Sequence, residues 1–115
     1  MNNKDFKDFL FEIANKSNMA HKYACVIFYR NNLISSGFNS YKYNISNNYN
    51  KEYESNKYSI HAEKAAIRKV KPKSILKDCK IYIIKIKGND IEQGIPCPMC
   101  YNLLNKYNIT KIEKI

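Results

Sequence analysis

Residues 23–39 read Y-A-C-V-I-F-Y-R-N-N-L-I-S-S-G-F-N, and their pattern decides the fold. The run from Tyr23 to Arg30 is β-branched and aromatic, as a buried strand requires. Asn31-Asn32 is a turn signal, because asparagine tolerates positive φ. Leu33 to Asn39 then reads as the return strand of a hairpin, with Gly37 as a bulge or a site of close backbone approach.

Helices and strands alternate around this hairpin. Phe6, Phe9, Leu10 and Ile13 follow the i, i+3, i+4, i+7 spacing of one helix face, which predicts a helix over 5–16. His61 to Val70 predicts a second helix with an alanine side (Ala62, Ala65, Ala66), stopped by Pro72. Lys80 to Lys87, K-I-Y-I-I-K-I-K, is a strong strand, followed by a loop holding Gly88 and Gly94. Cys97 to Tyr107 predicts a third helix with Leu103, Leu104 and Tyr107 inward, and Thr110 to Ile115 a last strand. The order α-β-β-α-β-α-β implies an α/β fold in which helices cover a central mixed sheet. Residues 40–59 are polar and tyrosine-rich without a period, long for a loop in a compact domain, and such loops are usually functional or disordered.

The chain has 115 residues, 44% of them hydrophobic, which sets residues 1–115 as one domain with one modest core. No stretch approaches the roughly 20 apolar residues of a membrane span, and residues 1–8 lack the apolar run of a signal peptide. A cytoplasmic, intracellular protein with reduced thiols is expected, with no membrane partner. The net charge of +10 should attract anions, nucleotides and nucleic acids among them. Arg30 and Arg68 are the only arginines, so the positive charge is lysine, and a general compositional bias explains it as well as selection for polyanions does.

Two short motifs carry chemistry: Ser59-Ile60-His61-Ala62-Glu63-Lys64 and Pro96-Cys97-Pro98-Met99-Cys100, each at a predicted helix start. Cys97 and Cys100 are spaced to share a helix side. A helix N-terminus favours the thiolate, the form that binds zinc, and proline suits a helix entry. With His61 they make three ligands, the number of a catalytic zinc site that keeps one position for water. Such a site yields hydroxide near neutral pH, which can attack a carbon bearing an exocyclic amine. Glu63, two residues from His61, is placed to carry the protons.

H-A-E at 61–63 with P-C-x-x-C at 96–100 resembles the signature of the zinc-dependent cytidine and deoxycytidylate deaminase superfamily. H-K-Y-A-C-V-I, S-S-G-F-N-S and N-I-T-K-I-E-K-I fall in the order that family uses, so the resemblance covers roughly residues 18–115. It implies a three-layer fold, Zn2+ held by His61, Cys97 and Cys100, and Glu63 as general acid and base. It also implies that the Ala62 backbone N–H holds the base carbonyl and that Asn39 contacts substrate. Met99 and the strand after the third helix look more like the deoxycytidylate and tRNA deaminase branch than the free cytidine branch. There are two departures. Gly88 to Ile95 intervene before the cysteine motif, an extra loop expected at the site mouth. The chain also stops at its fourth strand, where longer relatives add a helix and a fifth strand.

Other readings stay open. A structural zinc would recruit Cys25, Cys79 or His21 as fourth ligand; Cys25 and Cys79 otherwise read as small hydrophobes. A redox C-x-x-C leaves H-A-E unexplained. His21, before the first strand, could instead face substrate, and Asn39 could instead bond its own backbone. The tyrosines and lysines of residues 41–58 could stack on a base or meet a phosphate, or simply be solvated.

The expected activity is a zinc-dependent hydrolase of cyclic amidines. Zinc-bound hydroxide attacks C4 of cytosine in a small-molecule nucleotide or nucleoside, deoxycytidylate first, and Glu63 shuttles protons. The second reading is a cytosine or adenine deaminase of single-stranded DNA or RNA, suggested by basic charge and tyrosines. The third is a basic, zinc-stabilised nucleic-acid-binding module without catalysis. A homo-oligomer is expected too, since a sheet edge left after Ile115 invites pairing.

Overall fold

The computed structural model describes residues 3–41 and 59–115. Helix α1 (Asn3–Ala14) leads into strands β1 (Tyr23–Tyr29) and β2 (Asn32–Phe38). The pair β3 (Ser40–Tyr41) and β4 (Ser59–Ile60) precedes α2 (Ala62–Ile67), a 3-10 helix (Lys73–Asp78) and β5 (Lys80–Lys87). Strand β6 (Asp90–Gln93), α3 (Pro98–Lys106) and β7 (Lys111–Glu113) complete the order. The 40–59 loop falls largely in residues 42–58, outside the described residues, and so do the readings of Lys42, Tyr43, Tyr49, Lys51, Tyr53, Lys57 and Tyr58.

The sheet is mixed, in the order β2-β1-β5-β6, with β7 also on β5. β1 pairs antiparallel with β2 and with β5, and β5 pairs antiparallel with β6 but parallel with β7. Because side chains alternate across a strand, the register sorts the core into two layers. Cys25 and Ile27 of β1, with Ile81 and Ile83 of β5, face α2, α3 and the 3-10 helix. Ala24 and Val26, with Ile84 and Tyr82, face α1. On that second face Phe6, Phe28 and Tyr82 meet edge to face, with ring centroids 5.0–5.9 Å apart. Helices therefore lie on both faces, as the sequence predicts.

Several boundaries differ for local reasons. The hairpin turn sits one residue earlier than Asn31-Asn32: Arg30 and Asn31 take φ of 52° and 65°, and Tyr29 pairs with Asn32. Two consecutive positive φ values match the twist of a two-residue hairpin. The bulge falls not at Gly37 but between Ile27 and Phe28, where the partner changes from Ser35 to Leu33. Gly37 is the close approach instead, since a Cβ there would lie 2.5 Å from the Ala66 nitrogen and 2.8 Å from the Ala62 oxygen.

Helix α2 ends at Ile67 rather than Val70, because Lys69 and Val70 bond back to Ala66 and Ile67, narrowing the turn. Helix α3 closes in a Schellman arrangement. Asn108 (φ 58°) and Ile109 donate to the Asn105 and Leu104 carbonyls at 3.1 and 2.9 Å, and Ile109 and Leu104 are both buried. Residues 88–95 are not a plain loop. Gly88 (φ 63°) opens a two-residue turn, Lys87 pairs with Asp90, and β6 returns along the edge of β5.

Candidate active site

Each of the two motifs hands its side chains to the site from a helix start. His61 caps α2 in an extended conformation (φ −75°, ψ 155°), with its carbonyl accepting the Ala65 N–H at 3.0 Å. Its ring makes no capping bond, so the imidazole is left to face elsewhere. Cys97 caps α3 in the same way (φ −72°, ψ 166°), its carbonyl accepting the Tyr101 N–H at 2.9 Å, and Pro98 takes the first helical position. Cys100 follows in the first turn and is buried.

The two helix starts converge. His61 Nδ1 lies 3.5 Å from Cys97 Sγ and 3.3 Å from Cys100 Sγ. The three ligand atoms lie within 4.8 Å of one another. Two sulfurs and one imidazole nitrogen are the donor set that zinc prefers, and among the described residues the cluster has three members, with Cys25, Cys79 and His21 outside it. Cys79 is spent elsewhere, donating to the Ile75 carbonyl at 3.3 Å. This donor set fits Zn2+, with one coordination position over.

The Cys100 thiol does not follow the helix-terminus argument. Burial pushes the Cys100 thiol well above its ordinary range, and the neighbouring Glu63 carboxylate and Cys97 push the same way. Desolvation and a nearby negative charge therefore outweigh the partial charge of the helix start. A bound cation reverses that balance and deprotonates a coordinating thiol. Cys25 is fully buried beside the site, and burial, Glu63 and Cys100 raise its thiol too, which leaves it a neutral core group.

A cavity of about 300 Å³ opens over the cluster. His21, Asn39, His61, Ala62, Glu63 and Cys97 all line it, so the structure brings every candidate except Cys100 onto one lining, and Cys100 Sγ lies 3.3 Å from His61 Nδ1. Ala62 and Glu63 are buried at 0% and 6% exposure, and they occupy the first two positions of α2, where backbone N–H groups lack helical partners. Asn39 is also buried, but its amide is engaged: Oδ1 accepts the Tyr23 N–H at 2.9 Å, and Nδ2 donates to the His21 carbonyl at 2.7 Å. It thus ties the end of β2 to the wall before β1. His21 is exposed at the rim. The sequence reading missed Met19, Ala20, Tyr23 and Ser59 as lining residues. Ile95 belongs to the stretch expected at the site mouth; Met19 and Ala20 carried no signal. Of the 88–95 insertion only Ile95 reaches the cavity, because β6 holds the rest on the sheet edge.

Residues 1–113 match the family model of the cytidine and deoxycytidylate deaminase zinc-binding region. The chain belongs to that deaminase family. No curated protein matches it. Membership and the His61-Cys97-Cys100 cluster together make it a zinc-dependent deaminase, a hydrolase by reaction class. No helix of the described part of this deaminase is long and apolar enough to cross a membrane.

Proposed function

We propose that this deaminase converts a cytosine base to uracil and ammonia in a free nucleotide or nucleoside, with deoxycytidylate the leading substrate. The observation that carries the reading is the buried Glu63 carboxylate beside the three-ligand cluster, in a cavity of about 300 Å³. That volume lies at the small end of ligand pockets, suited to one base. Zinc held by His61, Cys97 and Cys100 supplies a Lewis acid that makes water nucleophilic near neutral pH. Glu63 takes a proton from the attacking water and delivers it to the ring nitrogen. It then carries a second proton to the departing amine, so that water and cytosine leave as uracil and ammonia. The Ala62 N–H holds the base carbonyl, and Asn39 and His21 bound the side of the cavity where the sugar would lie.

The test is ammonia release by the zinc-loaded protein from cytidine, deoxycytidine, deoxycytidylate and a cytosine-containing single-stranded oligonucleotide. Release from a free compound, reduced by about 10²–10⁴ in Glu63→Ala with zinc content unchanged, is the expected result. Release from the oligonucleotide alone would move the assignment to single-stranded DNA or RNA. The net charge of +10 and the half-exposed Tyr41 on the cavity lining favour that second reading.

A further inference from the structure

The 3-10 helix that follows α2 and the far end of α3, away from the start that carries Cys97 and Cys100, border a second, open cavity at the surface. It measures about 320 Å³ and is lined by Lys73, Ser74, Lys77, Lys106, Tyr107 and Asn108. Half of this lining is lysine and none of it is acidic. The ion pairs seen among the described residues, Lys80 with Glu113 and Lys87 with Glu92, leave these three lysines out.

The three ammonium groups are not equivalent. Lys73 is pinned: its Nζ donates to the Val70 carbonyl at 2.6 Å and to the Arg68 carbonyl at 3.1 Å. That fixes one positive charge at the cavity wall, on the backbone that follows α2. Lys106 lies over the Tyr107 ring, 5.4 Å from its centroid, and Lys77 projects from the exposed side of the 3-10 helix. Ser74 and Asn108 add neutral polar side chains. A fixed cation, two movable cations, small polar donors and one aromatic ring, with no carboxylate among them, suit a phosphate group carrying an organic part.

We propose that this cavity is a second anion site, separate from the zinc cavity, which takes a phosphate of a nucleotide or polynucleotide. The proposal does not depend on which base is deaminated. Lys77 and Lys106 supply the releasable charge, and Lys73 sets the position.

The experiment measures binding of fluorescent oligothymidylate to the zinc-loaded protein by polarisation across a salt series, with inorganic tripolyphosphate as competitor. Thymine has no exocyclic amine, so a failure of the deamination reading would not disturb this measurement. Lys77→Gln/Lys106→Gln is compared with Lys4→Gln/Lys7→Gln, which removes equal charge from exposed positions of α1 on the opposite sheet face. The cavity pair is expected to weaken binding at least tenfold and to flatten the log–log salt slope by about 1.4, at about 0.7 per phosphate contact on a single strand. The α1 pair is expected to change binding by less than about threefold, the effect of diffuse charge alone. Displacement by tripolyphosphate identifies free phosphates as sufficient; tight binding of the oligonucleotide without displacement identifies a polynucleotide as the source. Tripolyphosphate binding alone, measured by calorimetry and lost in the cavity pair, also supports the site. Equal weakening by the two pairs, or no binding of either anion, overturns it.

Discussion

Gly37 shows how one residue fixes the distance between sheet and site. It lies in β2 opposite Cys25 and faces α2, where a Cβ would come within 3 Å of Ala62, Ala65 and Ala66 atoms. The alanines answer it from the helix side, and Ser35 Oγ completes the contact by donating to the Ala66 carbonyl at 2.7 Å. Since α2 begins with Ala62 and Glu63 and is capped by His61, pushing it off the sheet moves the site. Gly37→Ala is therefore expected to cost about 1–3 kcal/mol through overpacking. It should also lower deamination beyond what the lost stability explains. The check is the urea midpoint together with ammonia release at a temperature where the variant is fully folded, against Ser36→Ala, at the adjacent residue of β2, whose carbonyl accepts from Lys69 Nζ. Normal activity in a destabilised Gly37→Ala protein would separate packing from site geometry.

Among the elements, the 3-10 helix and β5 meet at Cys79, whose side chain is buried. Burial, and after it Asp78, raises its thiol above the ordinary value, while Lys111 opposes them. The sign follows from linkage. The folded protein keeps this thiol protonated, whereas the unfolded chain ionises it above about pH 8.5, so its contribution is complete below that pH and is lost as pH rises beyond it. With both proteins zinc-saturated, the stability of wild type relative to Cys79→Val should fall between neutral pH and about pH 10, as the difference in their denaturant midpoints will show. Cys79 was legible as a small buried residue because β5 announced itself; the 3-10 helix before it was not, since six residues carry no helical period of their own. The hairpin, α1, β5 and α3 were readable because each has enough residues to show an alternation or a stripe. Strand β6 hid behind the polar D-I-E-Q, although Gly88-Asn89 is a two-residue hairpin signal in its own right. The β3–β4 pair could not be read at all, because its partners, Ser40 with Ile60 and Tyr41 with Ser59, are non-local. The His61, Cys97 and Cys100 cluster was legible because metal chemistry restricts residue types and spacing. Met19 and Ala20 were not, because a cavity wall needs only shape.

For the whole molecule, the zinc cluster joins parts of the chain that the backbone joins weakly. His61 enters from α2, and Cys97 and Cys100 from α3, while the two helices pack on the same sheet face over one shared core. In a chain of 115 residues the core alone leaves a modest margin, so a metal that binds only the folded arrangement adds to stability by mass action. Free zinc at a thousand times its Kd adds about 4 kcal/mol. The thiols enter this account with a definite sign: Cys100 is held protonated in the metal-free site, so zinc must displace a proton, and apparent affinity climbs as pH rises through the neutral range. Chelation should therefore lower Tm, by more at pH 8 than at pH 6, because the metal contributes more at the higher pH. Glu63→Ala should keep that dependence on zinc, since the carboxylate is outside the ligand set. His61→Ala should remove most of it while leaving Tm close to that of the chelated protein. Differential scanning calorimetry of the three proteins, with zinc in excess and with chelator, measures each of these. A chelator shift that survives in His61→Ala would place the stabilising metal somewhere other than the cluster at the starts of α2 and α3.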